Sequence, residues 1–165
     1  MENIEVLKKV LIAIVHQVEV FMSDEMKIEI EFDGEYRSVD KVELKKYTTT
    51  IGIGGSLNLL FYATYNELLL DTMTRRLAYG EIKEDEFVEL RDSAAGEIAN
   101  MIMGQSLSHF PNQGRGVSIT PPVTIEDAKS IVKTNGAGII SAVLSTPYGN
   151  IELNVIGSAK GEWNA

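Results

Sequence analysis

The chain has 165 residues, enough for one domain with its own core, and 44% hydrophobic and 24% charged residues are ordinary for a soluble globular protein. A formal net charge of −9, with no long basic run, argues against a nucleic-acid partner. The absence of cysteine excludes disulfides, thiolate metal sites and a cysteine nucleophile.

The first half of the chain predicts one helix and then strands. Apolar residues recur at helical spacing over residues 3–22. The apolar run within them is short and preceded by acidic residues, and no stretch reaches the about 20 apolar residues that a bilayer requires. We therefore expect a cytoplasmic protein that does not insert into a membrane. The predicted strands are residues 27–32, which end at an Asp33-Gly34 turn, then Val42–Ile53 and Ser56–Tyr62, which are joined at a bend over Gly52–Gly55.

The second half predicts two helices and then further strands. One helix spans Glu67–Tyr79, with Gly80 as its C-cap, and a long helix spans residues 84–107 with acidic residues in its first turn. After the long helix we expect a polar loop over Pro111–Gly116 and a short strand over Val117–Pro122. The two prolines of this strand must either end it or place it at a sheet edge. Two more strands, Ile139–Leu144 and Ile151–Ile156, and a polar, frayed tail over residues 158–165 complete the prediction.

This order of elements predicts a layered α/β or α+β domain. We expect an antiparallel-rich sheet of about six strands with helices packed on it. Because a helix followed by strands occurs twice, the order also hints at a pseudo-twofold duplication, although no repeat of individual residues is visible. The domain is expected to occupy residues 1–157.

The long predicted helix carries a narrow polar seam, which we define as Ser93, Glu97, Asn100 and Gly104. At about 100° per residue, these positions fall within an arc of roughly 60°. Asn costs a helix about 0.5 kcal/mol and Gly about 1 kcal/mol relative to Ala, so their presence favours a functional reason. The opposite side is apolar, as a buried face requires; it comprises Ala94, Ala95, Ile98, Ala99 and Ile102.

Two other features favour a structural interpretation. His16 and His109 are the only histidines, each lies beside apolar neighbours on a predicted helix, and their separation gives no metal-ligand spacing. We expect satisfied or partly buried histidines. The segment Gly52–Ser56 resembles a phosphate-binding loop, but a predicted strand follows it and no Lys-Ser/Thr pair is present, which favours a hairpin bend. We expect no metal or cofactor to be bound by this chain.

The pattern Ser93-x-x-x-Glu97-x-x-Asn100, followed by Met-Ile-Met-Gly104, resembles the signature of the CheC/CheX/FliY chemotaxis phosphatases. That signature is Asp or Ser, three residues, Glu, two residues and Asn. The glycine-rich segment at residues 52–57 and the segment Val117–Pro122 are also similar to CheX. The resemblance covers roughly residues 45–157, is closest to CheX, and implies a CheC-like fold and a single CheX-like phosphatase domain over residues 1–157.

The resemblance also implies a reaction. Members of this family remove the phosphoryl group from the aspartate of a CheY-type response regulator. Carried over to this sequence, Asn100 orients the attacking water, Glu97 pairs with the active-site lysine of the receiver domain, and Ser93 supports partner binding. The receiver supplies its own Mg²⁺ in this scheme. Because phosphoryl transfer passes through a loose transition state, positioning and charge stabilisation are sufficient, and a carboxamide can hold the water in line.

Gly104 acquires a physical interpretation from the same scheme. A helical side chain covers the surface about one turn toward the N-terminus, so a side chain at position 104 would shade Asn100. Glycine leaves that approach open for the partner. For Gly96, on the flank of the polar seam, close packing against a neighbouring element is the expected reason.

The resemblance further implies one site per chain and a homodimer formed through sheet edges. The first predicted helix carries Glu5-x-x-Lys8 and Glu19-x-x-Met22, without an Asn at the matching position. Two other functions stay open: a non-catalytic binding module for a phosphorylated regulator or another chemotaxis protein, and a structural component near the flagellar switch.

Overall fold

The computed structural model describes residues 3–78 and 82–158. Three helices pack on one face of an antiparallel sheet. No helix in these two ranges is long and apolar enough to cross a membrane. The helices are α1 (Asn3–Val20), α2 (Glu67–Leu77) and α3 (Glu84–Ser106). A short 3-10 turn at Leu107–His109 and a kinked turn at Pro111–Gly114, where Asn112 and Gln113 have positive φ, follow α3.

The main sheet has eight strands in place of the predicted six or so, and every pairing in it is antiparallel. The strands are β1 (Glu31–Phe32), β2 (Arg37–Val39), β3 (Lys41–Glu43), β4 (Tyr47–Gly55), β5 (Leu59–Tyr65), β6 (Val117–Ile119), β7 (Val123–Glu126), β8 (Ser130–Val132), β9 (Ala137–Thr146) and β10 (Gly149–Ser158). The order of the main sheet is β1-β9-β10-β5-β4-β6, in which β2 also pairs with β9 and β7 also pairs with β4. β3 and β8 form a separate ribbon.

The N-terminal helix ends differently from the prediction. A π-helical turn over Phe21–Glu25 follows α1, and the Met26 N–H donates to the Phe21 carbonyl. The wider turn buries both Phe21 and Met22 against the core. The predicted strand over residues 27–32 keeps its alternation, with Ile28 buried, but only its last two residues pair with β9.

The predicted strand over Val42–Ile53 is in fact two elements. Its first residues belong to β3, which pairs with β8 in the separate ribbon, and β4 begins only at Tyr47. The hairpin bend falls at the end of β4, where Gly55 has a φ of +80° and an added Cβ would lie 2.0 Å from the Gly116 carbonyl oxygen. This position therefore requires glycine.

The prolines of the predicted strand over Val117–Pro122 divide one sheet edge into two short strands. β6 pairs with the end of β4, β7 pairs with its beginning, and Thr120-Pro121-Pro122 lies between them. Proline cannot donate to a ladder, which explains the interruption and its place at an edge. The expected C-cap Gly80 and most of the expected tail, residues 159–165, lie outside the described residues.

The core lies between the helices and one face of the main sheet. α1 packs on β9 and β10, and α3 packs on β4, α1 and α2. Side chains alternate between the two faces of a strand, so every second residue of β4, β5, β9 and β10 faces this core. The apolar residues on that face are Tyr47, Ile51, Ile53, Leu59, Phe61, Ala63, Tyr65, Ile140, Ala142, Leu144, Ile151, Leu153 and Val155.

Candidate functional site

The polar seam lies on the exposed face of α3. Ser93, Glu97, Asn100 and Gly104 are all exposed, so the structure brings together all four positions that the sequence predicts for the site. The opposite face is buried, as predicted, and anchors the helix on the sheet and α1. The helix begins with three consecutive acidic residues, Glu84 to Glu86, which suit its N-terminal dipole.

The polar side chains of the seam have no partner within the chain as described. In residues 3–78 and 82–158, Ser93, Glu97 and Asn100 make no side-chain hydrogen bond or ion pair. A carboxylate and a carboxamide three positions apart on a helix lie about one turn from each other. Both groups are therefore free to bind a second molecule.

The two glycines of α3 have different surroundings. A Cβ added at Gly104 would meet nothing within 4 Å, so close packing does not explain this residue. A Cβ added at Gly96 would lie 3.4 Å from the Pro122 Cγ, in agreement with the packing expected on the flank of the seam. The space around Gly104 is open to solvent beside Asn100.

Arg91 fixes the helix that carries the seam. Its guanidinium donates to Asp71 (Nε–Oδ1, 2.7 Å), pairs with Glu67 (NH2–Oε1, 3.2 Å) and donates to the Tyr47 hydroxyl (NH1–OH, 2.7 Å). It also lies over the Phe87 ring at 5.3 Å. Through these contacts Arg91 joins α3 to both α2 and β4, and only 12% of its side chain is exposed. We call Arg91 and the four residues that it contacts the Arg91 cluster.

The Arg91 cluster was not predicted, because its members are distant in sequence. Burial by itself lowers the pKa of Arg91, but the Asp71 hydrogen bond and the nearby carboxylates raise the pKa above its ordinary value. Burial raises the pKa of Tyr47 to about 12. Arg91 therefore stays charged and Tyr47 stays protonated at neutral pH, which preserves the hydrogen bond between them. One signal could have indicated Arg91: it is the only basic residue among the acidic residues at the start of α3.

A groove between α2 and α3 adjoins the seam. Its volume is about 150 Å³, and we call it the α2–α3 groove. Its lining consists of Thr74, Leu77, Ala78, Leu90, Ser93, Ala94 and Glu97. Ser93 and Glu97 thus belong to both the seam and the groove.

The histidines correct the sequence-based expectation. His16 and His109 are exposed, whereas satisfied or partly buried side chains were expected, and both line one groove between α1 and the turn after α3. Helical spacing placed apolar neighbours beside each of them, but those neighbours point to the core while the imidazoles point outward. Within the described ranges, no group of three or more His, Cys, Asp or Glu side chains could hold a metal ion.

The comparisons with known proteins agree on one family. The family model described as chemotaxis phosphatase CheX matches residues 47–142. The CheY-P phosphatase CheX of Thermotoga maritima is 30% identical over 105 residues, a match that covers 62% of this chain and 66% of that protein, slightly less than two thirds of its length.

Solved structures show the same fold. The chemotaxis protein CheX from Desulfovibrio desulfuricans superposes with a TM-score of 0.72 at 18% identity, covering 92% of this chain and 97% of that one. CheX in the CheX–CheY–BeF3–Mg²⁺ complex from Borrelia burgdorferi gives a TM-score of 0.65 at 19% identity, covering 90% of this chain and 94% of that one. The fold is thus the one shared by the CheC, CheX and FliY proteins. Within that group, the chain belongs to the CheX family of chemotaxis phosphatases.

Proposed function

We propose that this protein hydrolyses the aspartyl phosphate of a CheY-type response regulator. The observation that carries the proposal is the pair of exposed side chains Glu97 and Asn100, which are unpaired within residues 3–78 and 82–158 and lie one turn apart on a helix whose other face is buried. Two comparisons support it: a relative is a CheY-P phosphatase, and a second relative forms a complex with CheY.

In the proposed reaction, the Asn100 carboxamide accepts a hydrogen bond from a water molecule and holds it in line with the phosphorus. The water oxygen forms a bond to phosphorus, the bond from phosphorus to the receiver's aspartate oxygen breaks, and both water protons leave with the phosphate as H2PO4⁻, which exchanges them with solvent. The products are inorganic phosphate and the free carboxylate. Positioning is the main demand because the transition state is loose.

Glu97 has a docking role in this scheme. Its carboxylate is exposed and unpaired within the described chain, so it can bind the active-site lysine of the receiver as a charge-assisted hydrogen bond. Ser93, one turn earlier on the seam, supports the same contact. The Mg²⁺ ion belongs to the receiver in this proposal.

We also propose that the protein acts in the cytoplasm as a homodimer joined through sheet edges, with one site per chain. At one edge, β7 exposes 55% of Val123 and 40% of Ile125, which are apolar residues that a second sheet could cover. Sedimentation analysis tests this assembly, and a purely monomeric protein contradicts it.

The decisive experiment follows the lifetime of the phosphorylated receiver with a catalytic amount of this protein. Asn100→Ala should lower the acceleration about 100-fold, since misplacement of a reacting group has an effect of that order. Gln105→Ala is the matched control, because it removes an exposed carboxamide from the same helix outside the polar seam. Gln105→Ala should act like the wild type.

The same experiment separates the enzyme from a binding module. A stoichiometric complex in which the phosphate lifetime is unchanged would support a non-catalytic module for the phosphorylated regulator. An Asn100→Ala variant as fast as the wild type would show that the catalytic assignment is wrong.

A further inference from the structure

Apart from Ser93 and Glu97, which it shares with the seam, the α2–α3 groove is lined mainly by apolar side chains. Leu90 exposes 37% of its surface there, and Leu77 and Ala78 are half-buried on the opposite side. Thr74 uses its hydroxyl on its own helix, donating to the Leu70 carbonyl at 2.7 Å, so it adds no free donor to the groove. The part of the groove between Leu77, Ala78 and Leu90 therefore suits an apolar side chain, and Ser93 and Glu97 supply its polar lining.

The groove is held open by contacts outside it. Arg91 joins α3 to Asp71 and Glu67 on α2, and the Arg75 guanidinium of α2 lies 4.5 Å from the centre of the Phe87 ring of α3. Because these contacts fix the two helices, a ligand side chain entering the groove does not need to reorganise them. A preformed groove lowers the cost of binding.

The groove is continuous with the proposed catalytic face. Glu97 and Ser93 line both, and Leu90 lies seven residues before Glu97, about 10 Å along the helix. A receiver whose lysine binds Glu97 would therefore cover this groove with the surface next to that lysine. The groove is open to solvent, and its volume of about 150 Å³ leaves room for one side chain.

We propose that the α2–α3 groove binds one apolar side chain of the phosphorylated receiver, from the surface beside its active-site lysine, and so selects which receiver the site engages. This inference rests on the proposed function, since the receiver is its occupant. A polar side chain presented at the same place would leave its hydrogen bonds unmade against Leu77 and Leu90, which penalises the wrong partner.

The test replaces Leu90 with a polar residue of similar size that is a good helix former. Leu90→Gln should raise the KM for the phosphorylated receiver about tenfold, the effect of losing about 1.4 kcal/mol of apolar contact, and leave kcat unchanged. Val88→Gln is the matched control, since Val88 is on the same helix, is 59% exposed and does not line the groove. Val88→Gln should keep the wild-type KM.

A second groove variant and the Asn100→Ala variant distinguish a failure of the groove assignment from a failure of the proposed function. Leu77→Gln alters the α2 side of the groove and should raise KM in the same way, and thermal melting should show that each variant is folded. A wild-type KM for both Leu90→Gln and Leu77→Gln, with Asn100→Ala still inactive, would overturn the groove assignment alone. A change in oligomeric state with an unchanged KM would also overturn it, by identifying the occupant as a second copy of the chain. Wild-type activity of Asn100→Ala would instead remove the proposed function.

Discussion

Replacing Gly104 with Ala should change the stability of the protein and its phosphatase activity in opposite directions. Glycine within a helix costs up to about 1 kcal/mol relative to alanine, and Gly104 lies in the last turn of α3. An added Cβ would meet nothing within 4 Å, so no packing cost offsets that gain. Gly104→Ala should therefore raise the free energy of unfolding by up to about 1 kcal/mol and the Tm by up to about 2–4 °C for a chain of this length.

The same substitution should reduce phosphatase activity. The new methyl group would project over the turn that carries Asn100, in the open space through which the receiver would approach in the proposed complex. Overpacking of a fitted contact costs typically 1–3 kcal/mol, so we expect kcat/KM to fall about tenfold. A more stable and less active variant is the expected combination.

Gly96→Ala provides the comparison on the same helix. Its added Cβ would touch the Pro122 side chain at 3.4 Å, within the chain and not at the partner's side. We expect a smaller gain in stability and wild-type activity. Thermal melting and the phosphate-lifetime assay measure both quantities. If Gly104→Ala kept full activity, the idea that glycine opens the approach to Asn100 would be refuted, and a lower Tm would contradict the open surroundings of Gly104.

Two further predictions concern charge and pH. Glu97→Lys should raise the KM for the phosphorylated receiver, because a like charge then faces the receiver's lysine, and an unchanged apparent affinity would argue against the pairing. Burial raises the pKa of both Tyr47 and Tyr65 from 10.0 to about 12, so the stability that depends on their neutral forms is fully present below pH 10 and is lost as the pH rises through about 12. Urea unfolding should show a loss of stability over this range, up to about 2–3 kcal/mol of it from the buried Tyr65; Tyr65→Phe should make the loss smaller, and an identical loss in that variant would contradict the assignment.

The long helices were the most predictable part of the fold. α3 begins at Glu84 as predicted and ends one residue early, because its apolar periodicity extends over many turns and acidic residues mark its start. The same periodicity placed the polar seam on the exposed face. The helix and the seam were therefore predictable from local sequence alone.

The short strands were less predictable, for a physical reason. β2, β3, β7 and β8 have three or four residues each, too few for a period-two pattern to stand out. Their pairing is decided by distant partners: β3 pairs with β8, and β7 pairs with β4. The prediction of about six strands therefore missed short edge and ribbon strands.

The support of the site was also hidden from the sequence. Arg91 looks like one charge among several at the start of α3, yet it contacts residues of α2 and β4 that lie 20 and 44 positions away. Helical spacing likewise gave His16 and His109 apolar neighbours but not their exposed orientation. Local patterns show which face of an element is buried, whereas contacts between elements depend on the tertiary fold.

The backbone of α3 is held in place, whereas the side chains of its polar seam are free. This arrangement suits the proposed site, which a partner protein completes. Glu97 and Asn100 have no internal hydrogen bonds in the described chain, so in the proposed complex each would lose side-chain freedom, at about 0.5–1.5 kcal/mol for a mobile side chain. The buried face of α3 and the Arg91 cluster fix the backbone before docking, which confines the cost to these short rotations. Because asparagine has fewer rotatable bonds than glutamine, it adds the least of this cost for a carboxamide. In the proposed reaction, only a phosphorylated receiver gives the water held by Asn100 an atom to attack, so the phosphoryl group itself decides which form of the receiver reacts.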